Sequence, residues 1–350
     1  MRLLSRVTVA VLAVNVLAVT RLAVGDRLEA QEPPLRVPGV VTARVVLEAR
    51  IVDGSGRSIP GLTPADLRLE VDGRPVAVSS VTWVAEGEDS PAGGAARATM
   101  TSASSVARPG RLVVLLFQKD FEGSRLRGLL RSIRQAEELL SPLTPDDRVA
   151  ILSFDARLRL HLDFTGDATA ARRTLDESVL LRWPAPIEPQ APPSLAASLP
   201  EAEARRAASP EQALAVLGKA LQEIPGAKTI LLFGWGLGEL VGGLFRPRPD
   251  YDEARRALER ARAAVFCLDV TDASWHSLEA GLQQVAEDTG GQYFRVFENP
   301  GAALARVAAA LRGHYVIGFE PPRTWRGEHR VRLSLVGRRG TLLTRSRYVD

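Results

Sequence analysis

From Arg111 to Leu311 the sequence alternates short, wholly apolar runs with stretches of amphipathic period, the pattern of a mostly parallel sheet covered by helices on both faces. Arg111 to Phe117 (RLVVLLF) reads as a central strand and Ser124 to Leu140 as a helix. Arg148 to Phe154 is a strand opened by the turn Thr144-Pro-Asp-Asp147, with Leu158 to Phe164 as its hairpin partner. Helices are expected near Ala168 to Val179, Pro210 to Gln222, Asp252 to Ala263, Trp275 to Asp288 and Pro300 to Leu311. Strands are expected at Lys228 to Phe233, Ala264 to Val270 and Gln292 to Val296. The stretch Arg182 to Pro210 carries six prolines between its ends. The stretch is also rich in alanine and glutamate, and a loop of that length inside a domain is a lid or an unordered insertion, the second being the simpler expectation.

On either side of this block the grammar changes. Between residues 39 and 84, β-branched runs are broken by Asp53-Gly-Ser-Gly56 and Asp72-Gly-Arg-Pro75, the pattern of a small all-β module. Residues 85–110 are small and polar, too poor in apolar groups to offset the entropy of ordering them, and read as a flexible linker. The tail, 313–350, alternates with period two around Gly337-Arg-Arg-Gly340 and reads as a β-hairpin extension. The expected fold class is therefore α/β, a doubly wound Rossmann-like sheet flanked by helices over 111–312. A small β module precedes it, a proline-rich insertion at 182–210 interrupts it, and a hairpin ends it. At roughly 150 residues per domain, 350 residues suit about two domains.

The N-terminus reads as an address. Arg2 and Arg6 precede an apolar run from Val7 to Thr20, with Ala23 and Gly25 at small-residue cleavage positions, so 1–30 is expected to be a secretory signal peptide. As a helix that run rises about 21 Å, short of the roughly 30 Å hydrocarbon core of a bilayer. The expected location is outside the cytoplasm, periplasmic or extracellular. An uncleaved segment would be the chain's only membrane contact. The lone Cys267 excludes a disulfide framework and a cysteine-rich zinc module. With 45 basic against 41 acidic residues interspersed, no phosphate-binding face stands out, and no nucleic acid is expected as partner.

In an open α/β sheet, ligands bind beyond the carboxyl ends of the strands, so the residues after Phe117, Thr165 and Phe233 decide function. Here V-V-L-L-F, L-T-P-D-D-R-V-A-I-L-S-F-D, L-D-F-T-G-D, K-T-I-L-L-F and A-E-D-T-G-G-Q-Y-F occur in order, followed by H-Y-V-I-G-F-E-P-P and an R-R-G turn. In that order the chain resembles the von Willebrand factor A domain over about residues 39–350, more closely the A-related secreted proteins of bacteria that carry an N-terminal β module. The resemblance implies a site in which a D-x-S-x-S segment, a later threonine and an aspartate after the fourth strand hold a divalent cation. A hard cation there takes oxygen ligands and leaves one position for a partner's carboxylate.

The sequence departs from that pattern at each position. Gln118, Asp120 and Glu122 stand where the D-x-S-x-S oxygens belong, with Lys119 beside them. No threonine lies between Thr174 and Thr229, and Trp235 replaces the aspartate. An indole cannot ligate magnesium, so the metal site is expected to be degenerate and unfilled. A shifted frame, Asp120-x-Glu122-x-Ser124, offers oxygens to Mg2+ or Ca2+, although a loop and helix cap explain it more simply. Gly234-Trp-Gly236-Leu-Gly238-Glu239 follows a strand as a dinucleotide loop would, but Glu239 replaces the third glycine, so no nucleotide is expected. His161, His276, His314 and His329 occur singly, without metal spacing, and Asp146 and Asp147 fit a turn. No catalytic residue stands out.

The expected function is that of an exported, non-enzymatic protein that binds or scaffolds a protein partner without a cofactor. It would use Trp235, Phe121 and the loop around Leu237 to Phe245 at the carboxyl edge of the sheet, and Trp235 is equally readable as a plug in the vacated metal pocket. Two rivals remain: a metal-dependent adhesin using Asp120, Glu122 and Ser124, and an enzyme using the same crevice.

Overall fold

The structure, a computed structural model, describes residues 45–85, 110–140, 144, 146–177, 179, 184–297, 299–321 and 325–349. The expected signal peptide and all but the end residues of the expected linker lie outside the described residues.

Four strands open the described chain: β1 (Val45–Val52), β2 (Leu67–Val71), β3 (Arg74–Val76) and β4 (Val78–Ala85). Then come β5 (Leu112–Gln118), α1 (Gly123–Ala136), β6 (Arg148–Phe154), β7 (Leu158–Thr165) and α2 (Ala168–Glu177). Two short helices, α3 (Leu195–Ser198) and α4 (Glu201–Arg206), lead to α5 (Pro210–Gln222) and β8 (Lys228–Gly234). A small hairpin, β9 (Glu239–Val241) and β10 (Leu244–Arg246), precedes α6 (Tyr251–Arg260), β11 (Ala263–Asp269) and α7 (Glu279–Thr289). The chain continues with β12 (Tyr293–Arg295), α8 (Pro300–Ala310) and β13 (Gly313–Phe319), then ends with β14 (Glu328–Leu335), β15 (Thr341–Thr344) and β16 (Arg347–Val349).

The central sheet has the order β12-β11-β8-β5-β6-β7. All neighbours run parallel except β7, which returns antiparallel beside β6. Counted within the sheet in chain order this is 3-2-1-4-5-6, the doubly wound arrangement, and its switch point falls between β5 and β8. Strand β5 shows why the sequence folds this way. Leu112, Val114 and Leu116 enter one core with α5, α6 and α7, whereas Val113, Leu115 and Phe117 enter the other with α1, α2 and α8. A strand buried on both faces reads as a continuous apolar run.

Two further sheets, β15-β1-β13-β4 and β16-β14-β2-β3, share a third core. Leu47, Ile51, Tyr315 and Phe319 of the first meet Leu69, Val71, Leu333 and Tyr348 of the second. The β segment before residue 85 and the tail after 313 are thus woven together, with β1 paired to both β13 and β15. The tail closes as β14 against β16, while β15 turns away to β1. This sandwich meets the amino ends of the parallel strands. Arg50 of β1 donates to Thr229 Oγ1 in β8 at 3.3 Å, and Glu48 pairs with Arg262, which precedes β11.

Three departures from the expected elements have physical causes. The stretch 182–210 is not an unordered insertion over its described part. The buried Asp163 carboxylate accepts hydrogen bonds from Ser194 Oγ at 2.6 Å and from the N–H of Leu195 at 2.6 Å, and Leu195 is fully buried. Helix α7 begins at Glu279 rather than Trp275, because Asp269 takes the N–H of Thr271 and Nε2 of His276 and so holds the intervening turn out of the helix. The hairpin β9–β10 was not expected at all. Gly242 and Gly243, at φ +60° and +80°, form its turn, where both central residues must be left-handed.

Candidate functional site

The sandwich covers the amino ends of the strands, so the open edge is the carboxyl one, where the loops after β5, β8 and β11 emerge side by side. Gln118 ends β5, is 2% exposed, and joins two of these loops. Its Nε2 donates to the Gly236 carbonyl at 3.0 Å, and its Oε1 accepts from the N–H of Trp235 at 3.0 Å and of Gly236 at 3.4 Å. Beneath them Phe117 and Phe233 stack with centroids 4.6 Å apart. Gly236 permits the third loop to approach, since a Cβ there would come within 2.5 Å of Leu278 Cβ.

The acidic residues of the first loop are also engaged. Asp120 accepts the N–H of Glu122 at 2.9 Å and pairs with Arg125 at 2.5 Å. Glu122 caps α1, accepting from the N–H of Ser124 at 3.2 Å, the N–H of Arg125 at 3.3 Å, and the Ser124 hydroxyl. The Ser124 hydroxyl, followed by these amides, holds the Glu122 carboxyl below its usual range. Lys119 pairs with Asp155 at 3.0 Å. The guanidinium of Arg125 also lies 3.9 Å from the Trp235 ring centroid, so one cation serves both the Asp120 carboxylate and the indole face.

The donors expected to hold a divalent cation are already engaged within the protein. The position expected to supply a carboxylate supplies a carboxamide whose oxygen already accepts two N–H groups, and Asp120 faces a guanidinium. Glu122 and Ser124 bond each other across the cap, so the oxygens of the shifted Asp120/Glu122/Ser124 frame are engaged as well. Trp235 is half-buried against the core beneath α1, and its Nε1 finds no hydrogen-bond partner among the described residues. That placement favours the plug over the free anchor.

Of the apolar residues expected at this edge, Phe121 is 67% exposed and Phe245 is half-buried. Leu237 is corrected: at 2% exposure it belongs to the core of α5 and α7, close against Gly281, and cannot touch a partner. The edge exposes others, three of them within the loop expected to take part and a fourth, Trp275, outside it. Leu244 is 71% exposed on β10, Leu240 and Val241 are exposed on β9, and Trp275 in the loop after β11 is 67% exposed. The hairpin had a visible signal, the Gly-Gly turn between short apolar pairs; Trp275 had none apart from its place after a strand.

Two histidines are engaged in ways that single occurrence hides. Buried His161 shares a hydrogen with Ser153 Oγ at 2.7 Å, and burial, reinforced by the charges of Lys119 and Arg159, pushes its pKa down to about 4. His276 Nε2 lies 2.7 Å from Asp269 Oδ2, which also accepts the Tyr293 hydroxyl at 2.7 Å. Burial alone would raise the Asp269 pKa, but the bonds from His276, the Thr271 N–H and Tyr293 outweigh it and hold the carboxyl below its usual range. Glu279, at the start of α7, receives Arg295 at 2.7 Å.

The molecule is, by strand order and register, a doubly wound α/β protein with a β-sandwich on its amino edge. As a sequence it matches no described protein family and no curated protein. Among solved structures, it is similar to a von Willebrand factor type A protein from Catenulispora acidiphila, at 11% identity over 84% of this chain and 75% of that one, with a TM-score of 0.42. It is similar to an aerotolerance-related membrane protein from Bacteroides fragilis at 16% identity, covering 58% of this chain and 98% of that one, with a TM-score of 0.38. The vWF domain of the type V pili tip protein Mfa5 from Porphyromonas gingivalis is similar at 12% identity over 56% of this chain and 93% of that one, with a TM-score of 0.39. The doubly wound fold itself rests on the strand order given above.

Proposed function

We propose that this chain is an exported binding protein that grips a protein partner at the carboxyl edge of its doubly wound sheet, by apolar burial and without an ion at the β5–β8 switch point. The observation that carries the reading is the set of large apolar side chains exposed on three neighbouring loops: Phe121, Leu240, Leu244 and Trp275. Soluble surfaces scatter such residues singly; several on one edge, two of them aromatic, support an interaction site. Binding is favoured over catalysis because the oxygens of Asp120, Glu122 and Ser124 already serve an ion pair and a helix cap. Export rests on the basic residues and apolar run at the N-terminus, and among the described residues no helix is long and apolar enough to cross a membrane.

The test is capture of partners from the exported fraction by cross-linking to the full chain, comparing Phe121→Asp and Leu244→Asp with Val349→Asp on the exposed side of β16. The edge variants are expected to lose capture at least about tenfold while keeping the melting temperature, because exposed apolar sites contribute little to folding. Unchanged capture in both edge variants, or equal loss in the β16 variant, overturns the reading.

A further inference from the structure

The turn between β11 and α7 brings together three side chains that no spacing in the sequence announces. Asp269 closes β11 and is fully buried, His276 lies in the turn, and Glu279 is buried at the first position of α7. One donor atom from each, two carboxylate oxygens and a ring nitrogen, lie within 4.8 Å of one another. We propose that Asp269, His276 and Glu279 form a divalent-cation site that takes Zn2+, on the strand next to the β5–β8 switch point at which the A-domain resemblance places its ion.

The donor set fits this class of ion. Zinc accepts imidazole nitrogen and carboxylate oxygen in a four-coordinate shell, and three protein ligands leave a fourth position for water. Hydrogen bonds among the three do not by themselves make a site, but two further features point to a missing ligand. The Tyr293 hydroxyl touches both carboxylates, at 2.7 Å to Asp269 and 3.4 Å to Glu279, so two acids sit together where little water reaches them. Like charges so placed favour a cation between them. In addition, Thr271 is nine-tenths buried, holds Asp269 Oδ1 through its N–H, and has a hydroxyl without a hydrogen-bond partner among the described residues.

The movement required at the His276–Asp269 side is small, while Glu279, in a set of donor atoms that spans up to 4.8 Å, must close inward. Tetrahedral bonds of roughly 2.0–2.1 Å put neighbouring ligand atoms about 3.3 Å apart. His276 Nε2 and Asp269 Oδ2 now stand 2.7 Å apart across one hydrogen, so the ring shifts by about half an ångström as that proton leaves to solvent. His276 sits on a turn and is 18% exposed, which supplies both the freedom and the entry path. Arg295, now paired with Glu279, has a side chain 42% exposed and can swing outward when the metal takes the carboxylate. The site shares its turn with Trp275 of the partner surface, but a cation here binds without any partner.

The experiment titrates ZnCl2 into the chelator-stripped full chain, read by calorimetry and by thermal unfolding, with Co2+ absorption as a second probe on the unaltered chain. One Zn2+ per chain, a melting temperature raised by several degrees, and an intense tetrahedral Co2+ spectrum are expected. His276→Ala and Glu279→Gln, chosen because replacing the fully buried Asp269 endangers folding, are each expected to weaken Zn2+ at least about tenfold. Absence of heat and of any thermal shift in the unaltered chain, a Co2+ spectrum like that of the hydrated ion, or undiminished Zn2+ binding by His276→Ala overturns the proposal.

Discussion

Replacing Gln118 by glutamate changes a single NH2 group into an oxygen, yet it inverts one contact at the switch point. The two hydrogen bonds accepted by Oε1 survive, but the bond from Nε2 to the Gly236 carbonyl, now 3.0 Å, becomes an approach of two oxygens. Because the site is 2% exposed, neither oxygen recovers water. Leaving a buried carbonyl unpaired costs about 1–3 kcal/mol, and the buried charge adds to it, so Gln118→Glu should lower stability by roughly 2–4 kcal/mol at pH 7. The loss should be pH-dependent with a definite sign. Desolvation raises the folded-state pKa of the new carboxyl above its unfolded value of roughly 4.3. Its penalty is therefore absent below that value, where the protonated acid can donate to Gly236, and grows as pH rises through the folded value. Urea unfolding of the parent and the variant at pH 7 and pH 4.5 measures this, with equal denaturant slopes confirming that the same transition is compared. A variant within about 0.5 kcal/mol of the parent at pH 7, or a difference that does not shrink in acid, refutes the reasoning.

Two further outcomes follow from buried polar groups. His161 has a folded pKa of about 4 against an ordinary 6.5, so the unfolded chain binds the proton first on acidification. Stability should fall by about 3 kcal/mol between pH 6.5 and pH 4, and His161→Gln should flatten that slope; a slope unchanged in the variant removes His161 as its cause. Asp163→Ala should strip Ser194 and Leu195 of their acceptor, lowering stability by about 2–3 kcal/mol and opening the segment around residues 184–199 to proteolysis. Wild-type protease resistance there would show that the carboxylate does not anchor it.

The sequence made the doubly wound sheet legible because its strands are buried on both faces and read as apolar runs, β5 and β8 most clearly. What stayed hidden depended on partners far along the chain. The proline-rich stretch looked unordered since its anchor, Asp163, lies about thirty residues before Ser194 in the other half of a strand pair. The weave of β1 with β13 and β15 left no local trace either. At the edge, Phe121 was legible from its position after β5. Leu237 was misplaced because flanking glycines suggest a loop tip, whereas the backbone folds inward beneath α7. The Asp269, His276 and Glu279 cluster is made by the turn itself, so nothing short of the fold could assemble it.

The position of β1 also orders events in time. Thr344 Oγ1 bonds the Glu48 carbonyl across 296 residues, and β1 cannot complete its sheet until β13 and β15 have been made. Contacts this distant in sequence form slowly. A chain emerging N-terminus first, from a ribosome or through a translocation pore, would carry β1 as an open strand until its own tail arrived, and would remain threadable until then. Closure of the sandwich therefore waits on β15, because without it β1 stays unsealed along the edge that β15 otherwise covers.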